Sequence, residues 1–108
     1  MVYLEGSELA AAAAKFRQAV ALDATDGYAF THLGDAELAQ GHVEAALVAY
    51  QQAVHWQPDL APAYVGLASS YWRLGRRDDA RAALRRASQI DPNHPTIQAL
   101  RAEMDRQP

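Results

Sequence analysis

The sequence predicts an all-α protein, a solenoid of antiparallel helix pairs. Three observations carry this. Alanine, the best helix former and a poor strand former, supplies 24 of 108 residues, and aromatics only 8%. An internal period of 34 residues runs along the chain. The loops between helical stretches are two to four residues, so successive helices must be antiparallel neighbours.

The period is visible when residues 27–60 are laid over 61–94. Ala29/Ala63, Leu33/Leu67, Gly41/Gly75, Ala46/Ala80, Ala49/Ala83, Ala53/Ala87 and Pro58/Pro92 coincide. Every match is small, apolar or a breaker, the classes that set packing and turns. Each unit reads as two helices. Phe30, Leu33, Gly34 and Leu38 recur at helical spacing until Gly41 ends the first. Val43, Ala46, Leu47, Tyr50, Ala53 and Val54 form the second stripe, stopped by Pro58. The next unit repeats this with Tyr64, Leu67, Ala68, Tyr71, Leu74 and Gly75, then Ala80, Ala83, Leu84, Ala87, Ile90 and Pro92. Upstream, Leu9, Ala12, Phe16, Ala19 and Leu22 make a second helix without a first, so residues 1–26 are a partial repeat. Gly6-Ser7 is expected to be its turn, with Ser7 or a neighbour capping the helix. Downstream, Pro95 opens a capping helix over 95–108, with Ile97, Leu100 and Met104 inward. One domain of about two and a half repeats plus a cap is expected.

These residues resemble the tetratricopeptide repeat. That family has a large apolar residue, Leu-Gly and Tyr on its first helix, then Ala, an aromatic and Pro on the second. Here the middle unit has Phe30, Leu33-Gly34, Glu37, Ala46, Tyr50 and Pro58. The next has Tyr64, Leu67-Ala68, Tyr71, Ala80, Leu84 and Pro92. Glu37 replaces the family's Tyr, and Ala68 its Gly. The resemblance implies a right-handed superhelix and a role in binding other proteins.

Composition narrows the function. No cysteine is present, which excludes disulfide scaffolds, thiol catalysis and cysteine-built zinc sites. No run of eighteen apolar residues is found, so no membrane span is expected. Met1–Leu4 is not a basic stretch leading into an apolar one, so no signal peptide is expected. A soluble, cytoplasmic protein is the default. Nine arginines against one lysine fit a GC-rich, bacterial source. The net charge of −3 is split: residues 1–60 hold eight acids against two bases, and residues 61–108 eight arginines against five acids.

No nucleophile elbow, phosphate loop, dinucleotide fingerprint or zinc-protease motif occurs, so no enzyme and no cofactor is expected. His32 and Asp35 share a helix face, but a third and fourth metal ligand are lacking, so no metal site is expected. His42 and His94 fall in turns, where solvation is expected, and His55 suits a helix C-terminus. Arg77, Arg81 and Arg85 stripe one helix face. A solvated convex face explains them better than nucleic-acid binding, since the chain is acidic and Asp78 and Asp79 dilute the stripe. Trp56 is expected in the core. Trp72, about 100° round the helix from Tyr71, points to the concave side or to the seam between repeats, and both stay open.

Stacked pairs of this kind curve, and their first helices line a concave groove. Matching the family's motif onto this chain places Tyr28, Thr31, His32, Asp35, Leu38 and Ala39 on it, then Val65, Gly66, Ser69, Trp72 and Arg73, with Ala99 and Glu103 on the cap. The mixture suits a short peptide held by stacking and a few hydrogen bonds. Family members that bind acidic chaperone tails use a clamp of Lys, Asn and Arg; here Thr31, Asp35, Val65 and Ser69 stand there, so no such tail is expected to bind. The leading expectation is a noncatalytic adaptor that binds a protein or peptide. The alternative is self-association, to a homodimer for instance, through Leu9, Phe16 and Val20, which lack a covering helix.

Overall fold

The computed structural model describes the backbone of residues 2–107 and the side chains of residues 7–107. Six helices follow one another: α1 Val2–Leu22, α2 Gly27–Ala39, α3 Val43–Trp56, α4 Ala61–Arg73, α5 Arg77–Ile90 and α6 Pro95–Arg106. Among the described residues there is no strand. The pairs α2–α3 and α4–α5 are the two expected hairpins, and α1 packs on α2 as α3 packs on α4. So α1 occupies the place of a second helix. The first helices α2 and α4 touch, while the described second helices do not touch one another. That asymmetry bends the stack and makes the α2, α4, α6 side concave.

The turn expected at Gly6-Ser7 does not form; α1 continues through both residues. One glycine inside a helix costs about 1 kcal/mol, and the run Ala10–Ala14 beyond it is the strongest helix-forming segment of the chain. The other boundaries fall where the breakers put them. Asp26 caps α2, its side chain accepting a hydrogen bond from the Ala29 N–H at 3.1 Å. Gly41 and Gly75 take φ of +83° and +78° after α2 and α4. There the His42 N–H donates to Glu37 O and the Arg76 N–H to Tyr71 O, both at 2.9 Å, which closes each helix by the same left-handed cap. Pro62 and Pro95 stand in the first turns of α4 and α6, where no intrahelical N–H is lost.

The repeated alanines are the packing positions. Ala46, Ala53, Ala63, Ala68, Ala80 and Ala87 are all fully buried, which lets the helix axes approach closely. Tyr50, Leu67, Leu84, Ile97, Leu100 and Met104 fill the space between them. Two residues leave the core expected of them. Leu22 is 90% exposed at the end of α1, and Trp56 is 45% exposed, edge-on to His55. Both close second helices, and no neighbouring second helix reaches over them.

Glu37 explains its own departure from the family pattern. Its carboxylate is buried and paired with Arg17 of α1 and with His42 Nδ1 at 3.2 Å. The pair ties α1 to α2, where Tyr71 in the next unit uses an aromatic ring. Arg17→Ala is therefore expected to destabilise the chain by about 1 kcal/mol. A hydrogen bond to a charged group is worth about 1.5–3 kcal/mol, discounted here because the guanidinium is half exposed. Urea unfolding checks this, and the loss should shrink when Glu37→Gln is already present.

Candidate functional site

The concave face holds a pocket of about 260 Å³ where α2, α4 and the start of α6 converge. Its floor is Tyr50, which reaches up from α3. The ring lies between two glycines: a Cβ on Gly34 would come within 2.7 Å of it, and one on Gly66 within 2.3 Å. Only at a residue without a side chain can a helix backbone approach a ring this closely. Gly34 and Gly66 thus let Tyr50 pass between the first helices to the groove surface. There its hydroxyl donates to Asp35 Oδ1 at 2.5 Å. Burial first, and then the bond to Asp35, push the phenol above its ordinary pKa, so Tyr50 remains protonated and donating.

Asp35, Leu38, Val65, Gly66 and Ser69, expected on the groove, line this pocket together. The others lie elsewhere. Tyr28 is 60% exposed at the start of α2. His32 is exposed and stacks on Phe16 of α1, ring centres 5.2 Å apart. Thr31 is not on the exposed face: it is buried, and its hydroxyl donates to Gly27 O at 2.8 Å. A short hydroxyl in mid-helix satisfies itself on the preceding turn. Trp72 is half-buried against the core, with Arg77 over its ring at 4.8 Å and Arg81 at 5.7 Å. Both arginines belong to α5, so the ring packs inside one hairpin, between its two helices, and not at the expected seam between repeats. Arg73 is exposed, and its Nη1 donates to Leu38 O at 3.4 Å. Ala39, Ala99 and Glu103 are exposed.

Sequence reasoning missed Tyr50, Pro62, His94 and Thr96 as pocket residues. Tyr50 fell in a core stripe, but a buried tyrosine needs a partner for its hydroxyl, and that was the available signal. His94 is half-buried rather than solvated: its Nδ1 accepts from the Thr96 N–H at 3.3 Å and caps α6. His42, exposed in its turn, is the partner of Glu37 already described. The arginines of α5 also differ from a purely solvated stripe. Arg76, the N-cap residue of α5, lies over Tyr71 at 4.7 Å, and Arg86 lies over Tyr64 at 5.7 Å, so this segment clips onto α4 through cation–π contacts. Among the described residues no group of three or more His, Asp or Glu could hold a metal ion. No described helix is long and apolar enough to cross a membrane.

Stacked helix pairs with shared small-residue seams and a concave face define an α-solenoid of the protein-interaction class. The chain belongs to the tetratricopeptide repeat family: one model of that repeat matches residues 37–104 and another residues 1–65. No curated protein matches it by sequence. Among solved structures, the tetratricopeptide repeat domain of Arabidopsis OM64 is 17% identical at a TM-score of 0.87, covering 99% of this chain and 88% of that one. The Yersinia enterocolitica type III secretion translocator chaperone SycD is 19% identical at 0.78, with 95% and 78% covered. PcrH, solved in complex with the chaperone binding region of PopD, is 22% identical at 0.77, with 95% and 77% covered. These likenesses show the fold, an all-α solenoid of helical hairpins. By its family and fold this chain is a protein–protein interaction module.

Proposed function

We propose that the chain is a noncatalytic adaptor that binds a peptide segment of a partner protein on the concave face of α2, α4 and α6. The observation that carries this is the pocket itself. Side chains from four helices converge on it, apolar walls from Leu38 and Val65 surround a few polar groups, and Asp35 is held in place by Tyr50. PcrH, whose fold this chain shares, was solved with a region of its partner PopD, which favours segment capture over large flat contact. Asp35 stands against acidic chaperone tails, whose carboxylates it would repel.

Selection from a random peptide library on the immobilised chain tests the reading. Selected peptides are expected to lose about tenfold or more in affinity for Ser69→Trp, which fills the pocket, and to keep it for Val48→Glu on exposed α3 surface. Equal binding to Ser69→Trp overturns the groove as the site.

Self-association remains a second reading, favoured by one observation. Leu9, Phe16 and Val20 on α1 are only half-buried, and Leu22 beside them is exposed. A molar mass by light scattering that stays near 11.8 kDa across concentration excludes it.

A further inference from the structure

We infer that the concave pocket is a subsite for a lysine side chain of the bound peptide, its ammonium held by Asp35. The inference rests on the groove reading above and adds the chemistry of the ligand. Asp35 is the one carboxylate among the described residues that line the pocket. Its Oδ1 is already taken by the Tyr50 hydroxyl at 2.5 Å, which fixes the carboxylate's direction. Among the described residues Oδ2 accepts no hydrogen bond and no cation forms an ion pair with Asp35. Arg73, the nearby candidate, turns its Nη1 to Leu38 O instead. An oriented carboxylate with one open oxygen is a site for a foreign cation.

The geometry selects which cation. A guanidinium gains most from a carboxylate when both oxygens accept its fork, and here one is occupied. An ammonium is a compact charge with three donors, and needs one strong acceptor and neighbours of lesser strength. Ser69, which lines the same pocket, brings a hydroxyl of that kind. Pro62, Leu38 and Val65 wall the pocket with carbon, which suits a four-carbon stem leading to a charged head. The five heavy atoms of a lysine side chain, at roughly 30 Å³ each as for water, fit well within it.

The probes are three acetylated, amidated pentapeptides, Ala-Leu-X-Leu-Ala, with X lysine, norleucine or glutamate. Each is titrated into the 15N-labelled chain while the backbone amides are followed. The lysine peptide is expected to shift Asp35, Gly66 and Ser69 and to bind about fivefold tighter than the norleucine peptide, as a partly screened ion pair allows. The glutamate peptide should bind most weakly. Asp35→Asn keeps an acceptor for Tyr50 and should bring the lysine peptide down to the norleucine level. Asp35→Lys should reverse the order of lysine and glutamate. If norleucine or glutamate binds the same amides as tightly as lysine, the cation subsite is overturned while the groove stands. If no peptide moves those amides, both fall.

Discussion

Gly66→Ala is expected to destabilise the chain by about 2 kcal/mol, although alanine is the better helix former. In an exposed helix interior the exchange would stabilise by about 1 kcal/mol. Here the new methyl would lie 2.3 Å from Tyr50 Cε1 and Cζ. The ring is 1% exposed and Gly34 also lies against it, so it has little room to retreat. Overpacking of a rigid site costs about 1–3 kcal/mol and occasionally more, and here it outweighs the propensity gain. Urea unfolding should show a lower midpoint at unchanged slope. Tyr50→Leu, which withdraws the ring, should absorb much of the loss, so the double variant is more stable than the two separate losses predict. Stability equal to or above wild type in Gly66→Ala would contradict this packing.

Tyr50→Ala has the largest expected effect, a loss of about 4 kcal/mol by analogy with other buried aromatics. Against a total of about 5–15 kcal/mol for a domain, that brings the chain close to unfolding. Tyr50→Phe separates the ring from its hydroxyl. It should cost about 1 kcal/mol, because Asp35 loses a donor but remains in contact with solvent. The hydroxyl also carries a pH signature. Its pKa in the folded chain lies above the ordinary value of 10.0, through burial and the bond to Asp35. Protonated phenol is thus favoured by folding. The linked stability is fully present below pH 10 and is lost as pH rises beyond it, since the unfolded chain ionises first. Tyr50→Phe should be less sensitive to alkali above that pH than wild type.

Much of the fold is legible in the sequence because its determinants are local. Gly41, Gly75, Pro58 and Pro92 end helices through their own backbone chemistry, and the period of Ala46/Ala80 and Ala53/Ala87 encodes the seams directly. The turn expected at Gly6-Ser7 fails for the complementary reason. A glycine ends a helix only where the flanking residues do not favour continuing it, and the alanine run of α1 does. Trp56 and Leu22 read as core because a helical stripe gives the face but not how far the neighbouring helix extends.

The site is half legible for similar reasons. Motif register places Asp35, Leu38, Val65, Gly66 and Ser69 on one face, and they do share one pocket. Register cannot show that Tyr50 of a second helix passes between Gly34 and Gly66 to bond Asp35, since that contact spans 15 residues and two helices. Nor can it show that cations of α5 claim Trp72 inside its own hairpin. Thr31 sits one position from His32, yet one is buried and the other exposed, a difference of 100° on the helix.

The central claim is that ligands meet the α2, α4, α6 side of the stack. Hydrogen exchange of the backbone amides, with and without a library-selected peptide at saturation, tests it most directly. The account predicts slowed exchange in Asp35–Leu38, Val65–Ser69 and the first turn of α6, with α1 and the outer turns of α3 unchanged. Protection confined to α1, α3 or α5 would contradict it.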